Sequence, residues 1–266
     1  MTTRARQPQL VQASIGLHMF AAGAVTMNPS WWPMALATIV ADHAVITATG
    51  LWPTSTWLGP NLRRLPASAI EKRQLALTID DGPDPDITPR VLDLLDATSI
   101  KATFFCIGER VVRHAALARE IVARGHAIEN HSYRHRHNFS LLGPRGFDRE
   151  LAAAQAAIAD TVGIEPRFFR APAGLRNVFL QGALERHDLT LTSWTRRGFD
   201  TVRRDPRQVA DRLIAGLAAG DILLLHDGHA ARTNGGEPVI IEAFPLVAKA
   251  IREHGLVPIT LSATRA

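Results

Sequence analysis

Hydrophobic and polar positions divide the chain into two unlike stretches. Residues 10–27 form one charge-free, mostly apolar run. After an Asn28-Pro29-Ser30 break, residues 31–52 form a second, interrupted by Asp42 and His43. Each run is close to the ~20 apolar residues that a membrane helix needs. Beyond them, short apolar runs alternate with longer amphipathic ones, and the period separates strand from helix. Strands are predicted at 75–80, 102–108, 127–131, 167–171, 189–194, 221–226 and 256–261. Helices are predicted at 88–97, where Val91, Leu92, Leu94 and Leu95 share a face, at 115–123 with a stop at Gly125, and at 146–162, 206–219 and 240–254. About seven strand–helix repeats imply parallel strands that can close into a barrel.

Charge changes the picture only at the N-terminal end. The chain has 266 residues, 46% of them hydrophobic, which suits one or two domains and excludes disorder as its main state. The net charge is +5, but residues 1–66 hold Arg4, Arg6, Arg63 and Arg64 against Asp42 alone. The remaining residues are nearly balanced, without a basic stripe interleaved with aromatics, so no nucleic-acid partner is expected. Basic flanks around an uncharged turn predict a membrane-anchoring helical hairpin over residues 10–52, with both ends on the cytoplasmic side. Trp31, Trp32, Trp52 and Trp57 sit where interfacial anchors belong. Two other readings stay open. The first run could be a signal segment cleaved near Ala22-Gly23-Ala24, or both runs could pack as ordinary helices, since a central Asp42 would cost ~2.5–3.5 kcal/mol on insertion. The organisation read from this is 1–60 hydrophobic segment, 61–74 linker and 75–266 catalytic domain. Cys106, the single cysteine, excludes a disulfide framework and reads as a buried strand residue.

In parallel α/β folds, chemistry collects at the carboxyl ends of strands. Polar clusters fall at those ends here: Asp80-Asp81-Gly82-Pro83, Asn130-His131-Ser132, Arg170-Ala171-Pro172 and His226-Asp227-Gly228. His131 and His135 are four apart, so one helical turn would set both rings on one face. With a neighbouring carboxylate they make a ligand set that suits zinc and leaves a position open for water. A turn at Gly82-Pro83 could bring both aspartates to the rim, one for the metal and one free as a base. Taken singly, these features also fit surface histidines and an ordinary turn.

The stretches "LTIDDGPDPDITPRVLDLL", "KATFFCIGERV", "GHAIENHSYRH", "RFFRAPAG" and "GDILLLHDG" together resemble the polysaccharide deacetylases of carbohydrate esterase family 4, the NodB-homology domain, over about residues 75–261. The resemblance implies a distorted (β/α)7-type barrel behind the hydrophobic hairpin. It also implies a divalent metal, usually Zn2+, and hydrolysis of N-acetyl or related acyl groups on a sugar. Carried over by motif, Asp80 is the general base, Asp81, His131 and His135 hold the metal, and Arg170 orients Asp80. The Ala173 amide helps bind the oxyanion, and His226 is the general acid. Asp200 is the expected partner of His226 or Arg170, and Trp194 a substrate-binding residue; His137 reads as a surface histidine. Two departures stand out: Ala173 replaces a usual aromatic, and "SWTRRGFDTV" replaces an Asp-rich stretch ending in Trp. The expected partners are an acetylated glycan or a lipid-linked sugar, and the expected location is the bacterial inner membrane. The rival function is a catalytically silent, membrane-tethered carbohydrate-binding module. A barrel glycosidase would use the carboxylates and leave the histidines without a task.

Overall fold

A computed structural model describes residues 7–265 of the chain, so the flanking Arg4 and Arg6 lie outside the described residues. In chain order the elements are α1 (Gln9–Met27), α2 (Trp32–Gly50), α3 (Ala67–Glu71), β1 (Gln74–Asp80), α4 (Thr88–Ala97), β2 (Ala102–Cys106), α5 (Gly108–Arg113), α6 (Ala115–Ala123), β3 (Ala127–Asn130) and α7 (Pro144–Val162). There follow β4 (Phe168–Phe169), α8 (Leu180–Arg186), β5 (Thr190–Leu191), β6 (Arg196–Arg197), α9 (Pro206–Ile214), β7 (Ile222–His226), α10 (Val239–Glu253) and β8 (Val257–Ile259). The strands form one sheet in the order β5-β4-β3-β2-β1-β7-β6, with β8 added to the start of β1. All pairs are parallel. The sheet curls with helices outside it and β5 and β6 at its two ends, the distorted barrel expected from the motifs.

β1 shows why this sequence builds the sheet. It is buried along nearly its whole length, as a parallel strand covered on both faces must be. Side chains alternate along it. Leu75, Leu77 and Ile79 face the layer that holds Val91, Leu95, Val209, Phe244 and Val247, each worth about 1.5–3 kcal/mol when buried. Ala76 joins the inner cluster with Phe105, Phe168 and Ile222. Thr78 and Asp80 share that inner side and meet Arg170 there. Cys106 is fully buried at the end of β2.

Two predicted boundaries are borne out to the residue, α4 and α6. The late strands are much shorter than predicted: β4 and β5 have two residues each because only Phe168 and Phe169 find partners in Thr190 and Leu191. α3, α5, α8 and β6 were not predicted; α3 lies within the segment read as a linker, all three helices are under two turns, and β6 consists of two arginines.

α1 and α2 are joined by a short turn at Pro29–Trp31 and run back along each other. Only Ser14 and Ala21 are buried on α1, and only Thr49 and Gly50 on α2. Phe20, Met19, Met27, Trp32, Met34 and Val40 are exposed. The end of α2 meets the barrel beside the loop that follows the carboxyl end of β4: the Arg176 amide donates to the Gly50 carbonyl at 3.1 Å, and the Arg176 guanidinium donates to Ser55 O at 2.5 Å. Residues 61–66 then lie against the sheet. Leu62 N–H donates to Leu191 O and Leu65 N–H to Gly220 O, both at 2.8 Å.

Candidate active site and metal centre

The site is built where β1 ends. Asp80 is the last residue of the strand, and Asp81 follows in the left-handed region at φ 77°, which turns both carboxylates to the rim. Gly82 must lack a side chain: a Cβ there would stand 2.5 Å from the Asp227 carboxylate. Six of the nine described non-glycine residues with positive φ surround this point, namely Asp81, Ser132, His135, Ala173, Phe199 and His229. Such conformations cost about 1–3 kcal/mol each and gather where side chains must be aimed.

His131 leaves β3 with its amide donating to Cys106 O, and the Arg170 carbonyl lies 2.8 Å from its Nδ1. A carbonyl only accepts, so Nδ1 carries the proton and Nε2 presents a lone pair. His135 arrives by a route that the sequence did not give. No helix joins the two histidines; Ser132 and His135 are left-handed, and the loop is pinned instead. Ser132 Oγ accepts from the His135 amide at 3.0 Å, and Glu150 on α7 accepts from the Tyr133 and Arg134 amides at 3.2 and 3.0 Å. The rings of His131 and His135 end 4.9 Å apart.

Both Nε2 atoms lie 3.2 Å from Asp81 Oδ1. That oxygen is nevertheless buried without a hydrogen bond. An unshared carboxylate oxygen facing two imidazole nitrogens out of hydrogen-bonding alignment is costly unless a cation stands between them. Ligands held ~2.0–2.2 Å from tetrahedral zinc lie about 3.3–3.5 Å apart, so Asp81, His131 and His135 fit a divalent ion. Burial, followed by the neighbouring His131, holds the His135 imidazole down to about 4, which keeps it neutral at physiological pH. Although burial opposes ionisation of Asp81, its contacts with His131 and His229 hold its carboxyl well below the usual carboxylate range.

Asp80 points elsewhere. Its Oδ1 accepts from Arg170 Nη1 at 2.6 Å. Arg170 is 1% exposed, lies 4.1 Å over the Phe105 ring, and donates also to Thr78 Oγ1, Thr192 O and Ser193 O. His226 ends β7 directly beside Asp80, its register partner in the β1–β7 ladder. Asp200 grips it twice, with Oδ1 2.8 Å from Nδ1 and Oδ2 accepting the His226 amide at 2.6 Å. Burial alone would lower the His226 imidazole, but Asp200, aided by Asp80 and Asp81, pushes it up to about 9.

Asp80, Asp81, His131, His135, Ala173, Trp194 and His226 line one cavity of about 220 Å³. Arg170 and Asp200 stand behind it, each bonded to a lining residue. His137 is exposed, as expected, but also lines the mouth. Three residues escaped sequence reasoning. His229 places Nδ1 3.2 Å from Asp81 Oδ2, and Arg110 donates to the Asp81 carbonyl at 3.0 Å and reaches His229 Nε2 at 3.5 Å. Arg197 lines the cavity from β6. The signal for His229 was its place in "HDGHA"; Arg110 and Arg197 carried none.

Comparison with known proteins places the fold and the motifs in a family. The family model for polysaccharide deacetylase matches residues 67–192. A peptidoglycan-N-acetylglucosamine deacetylase of Bacillus cereus is 33% identical over 175 residues, covering 65% of this chain and 77% of that protein. A chitooligosaccharide deacetylase of Sinorhizobium fredii is 34% identical over 168 residues, 63% of this chain and 78% of its own. Among solved structures, a carbohydrate esterase family 4 pseudoenzyme from Bacillus anthracis superposes with a TM-score of 0.68 at 23% identity, covering 77% of this chain and 69% of that one, which supports the fold alone. On the strength of these matches, the chain belongs to the polysaccharide deacetylase family.

Proposed function

We propose that the protein is a metal-dependent hydrolase that removes an N-acetyl or related acyl group from a membrane-proximal sugar. The observation that carries this reading is the convergence on Asp81 Oδ1 of two imidazole nitrogens at 3.2 Å, beside the facing pair Asp80 and His226. A divalent ion, with Zn2+ the best match to two histidines and a carboxylate, would be held by Asp81, His131 and His135. When bound it would acidify water and polarise the acyl carbonyl. Asp80, aimed by Arg170, takes a proton from the attacking water. The main-chain N–H of Ala173 donates to the developing oxyanion. His226, kept protonated by Asp200, passes its proton to the departing amine nitrogen, so the products are acetate and a free amino sugar. Trp194 supplies an apolar wall beside Ala173, where no aromatic stands.

The N-terminal pair fits a membrane hairpin. Nineteen residues of helix extend about 28 Å, close to the ~30 Å hydrocarbon thickness. Among the described residues α1 alone is long and apolar enough to cross a membrane, while α2 matches it in length but carries Asp42 and His43. Gln7 and Pro8 lie near Phe179 and Gln181 of the barrel, and Gly50 bonds to Arg176, so both ends return to the catalytic domain. Trp31, Trp32, Trp52 and Trp57 are all exposed at the helix ends. Cleavage as a signal segment would strip Ser14 from Asp42, which it bonds at 2.5 Å. That contact favours a retained anchor, here in a bacterial inner membrane.

A silent sugar-binding role is opposed by the intact set of base, acid and metal positions. The test is a panel of acetylated glycans and lipid-linked acetamido sugars, with released acetate measured before chelation, after it, and after zinc return. Acetate release that stops with chelation and resumes with zinc supports the reading. Binding without acetate release from any of them would favour the silent module.

A further inference from the structure

Three guanidinium groups stand at or behind the cavity, and they differ in what they hold: Arg110 is taken up by the Asp81 carbonyl at 3.0 Å and the Asp84 carboxylate at 3.9 Å. Arg170 is saturated by Asp80, Thr78, Thr192 and Ser193. Arg197 lines the cavity wall, yet among the described residues its side chain has no hydrogen bond and no carboxylate within salt-bridge distance, and its Nε is buried and unbonded. Its neighbour Arg196 shows the contrast along a two-residue strand. Successive side chains point to opposite faces, and Arg196 is tied to Asp221 at 2.5 Å on the other side.

Arg197 is nonetheless held in place. Its guanidinium carbon lies 5.3 Å from the Trp194 ring and 5.0 Å from the Phe199 ring. Arg212 stacks on the same Phe199 ring at 4.8 Å. Phe199 itself has φ 60°, so the chain bends sharply to present this ring. An aromatic-braced guanidinium loses little freedom when it binds, and its planar fork matches carboxylate or phosphate oxygens. A half-buried permanent cation with an unsatisfied donor is costly unless an anion arrives to meet it.

We infer that Arg197 is a specificity-determining residue that receives an anionic group, a phosphate or a carboxylate, carried by the same acyl-amino sugar whose amide reaches Asp81 and Asp80. This rests on the hydrolase reading for the position of the sugar. The rim also lies close to the helix pair: Gly174, which lines the cavity beside Trp194, packs against Pro53 in the segment that leaves α2. A sugar phosphate carried on a lipid would therefore meet Arg197 close to the base of the hairpin.

The test compares binding and turnover of neutral and charged probes by the full chain in detergent. Neutral N-acetylglucosamine, a phosphorylated N-acetylglucosamine and N-acetylmuramic acid are titrated into zinc-loaded D80N, which slows turnover, and into D80N/R197Q. One or both charged sugars bind about ten- to hundredfold tighter than the neutral one to D80N, the range for a hydrogen bond to a charged group. That preference falls towards unity in D80N/R197Q, survives in part in D80N/R197K, and shrinks as salt rises. Which charged sugar is preferred separates phosphate from carboxylate. In the Asp80-containing protein the same preference shows as a lower KM. Equal binding of all three sugars by D80N, or a preference that persists in D80N/R197Q with unchanged thermal melting, overturns the inference. A charge preference without acetate release from any probe keeps it and sinks the hydrolase reading instead.

Discussion

Among the described residues, two places bring one aspartate and two histidines together. At the barrel rim they are Asp81, His131 and His135; between α1 and α2 they are Asp42, His18 and His43. The residue types are the same and the arrangements are opposite. In the helix pair the facing polar atoms pair with one another: Ser14 donates to Asp42 Oδ2 at 2.5 Å, the Ser14 carbonyl accepts from His18 Nδ1 at 2.8 Å, and His18 Nε2 faces His43 Nε2 at 3.3 Å. That cluster is a polar cross-link between helices, of the kind that joins segments in apolar surroundings. At the rim, Asp81 Oδ1 has no hydrogen bond although two nitrogens crowd it; the His131 ring and the other Asp81 oxygen have outer partners, and the loop that carries His135 is pinned through its amide. What separates a metal centre from a polar staple is convergence of unsatisfied lone pairs with outer partners that hold them there.

The comparison breaks most visibly if the rim loses a ligand. In D81A or H131A, bound zinc should fall from one equivalent to a small fraction, and acetate release should drop by more than about a thousandfold, measured by elemental analysis alongside the assay. D80N separates binding from chemistry: it should keep its zinc while kcat falls about 10²–10⁴-fold, the usual share of a general base. Zinc loss in D80N would place Asp80 among the ligands.

Smaller effects sharpen the claim about outer partners. H229A removes the group beside Asp81 Oδ2, and zinc affinity in a chelator competition should weaken about ten- to hundredfold while the ligands stay intact. H18A should leave that affinity alone. If His226 is the general acid of the proposed reaction, its protonated form is the active one, and activity should fall as pH rises through its pKa, raised towards about 9 by Asp200. D200N removes the anion, so the alkaline limb of the kcat profile should move to lower pH by a unit or more. A bound dication shifts both profiles down together and leaves their difference. Coincident limbs would remove Asp200 from this role.

Much of the barrel was legible because its early elements carry their own period. α4 and α6 show one apolar face, and β1 and β2 are short, mainly apolar runs between turns. The late strands were not, since β4, β5 and β6 owe their two residues to neighbours rather than to local pattern. The motif residues could be named in advance, and the cavity brings Asp80, Asp81, His131, His135 and His226 together. The way they are brought together could not be read. A helical spacing of four between His131 and His135 is a left-handed loop held by Ser132 and Glu150. Arg110 and Arg197 act across elements distant in sequence, where no local spacing marks them, whereas His229 sits three residues after His226.

The central claim is that the rim, and not the helix pair, holds the ion. Anomalous scattering from crystals of the zinc-loaded full chain, recorded on either side of the zinc edge, tests it without an assay. The account predicts one strong peak enclosed by Asp81, His131 and His135, and none between His18 and His43. A peak at the helix pair with an empty rim, or no peak at either place, would contradict it.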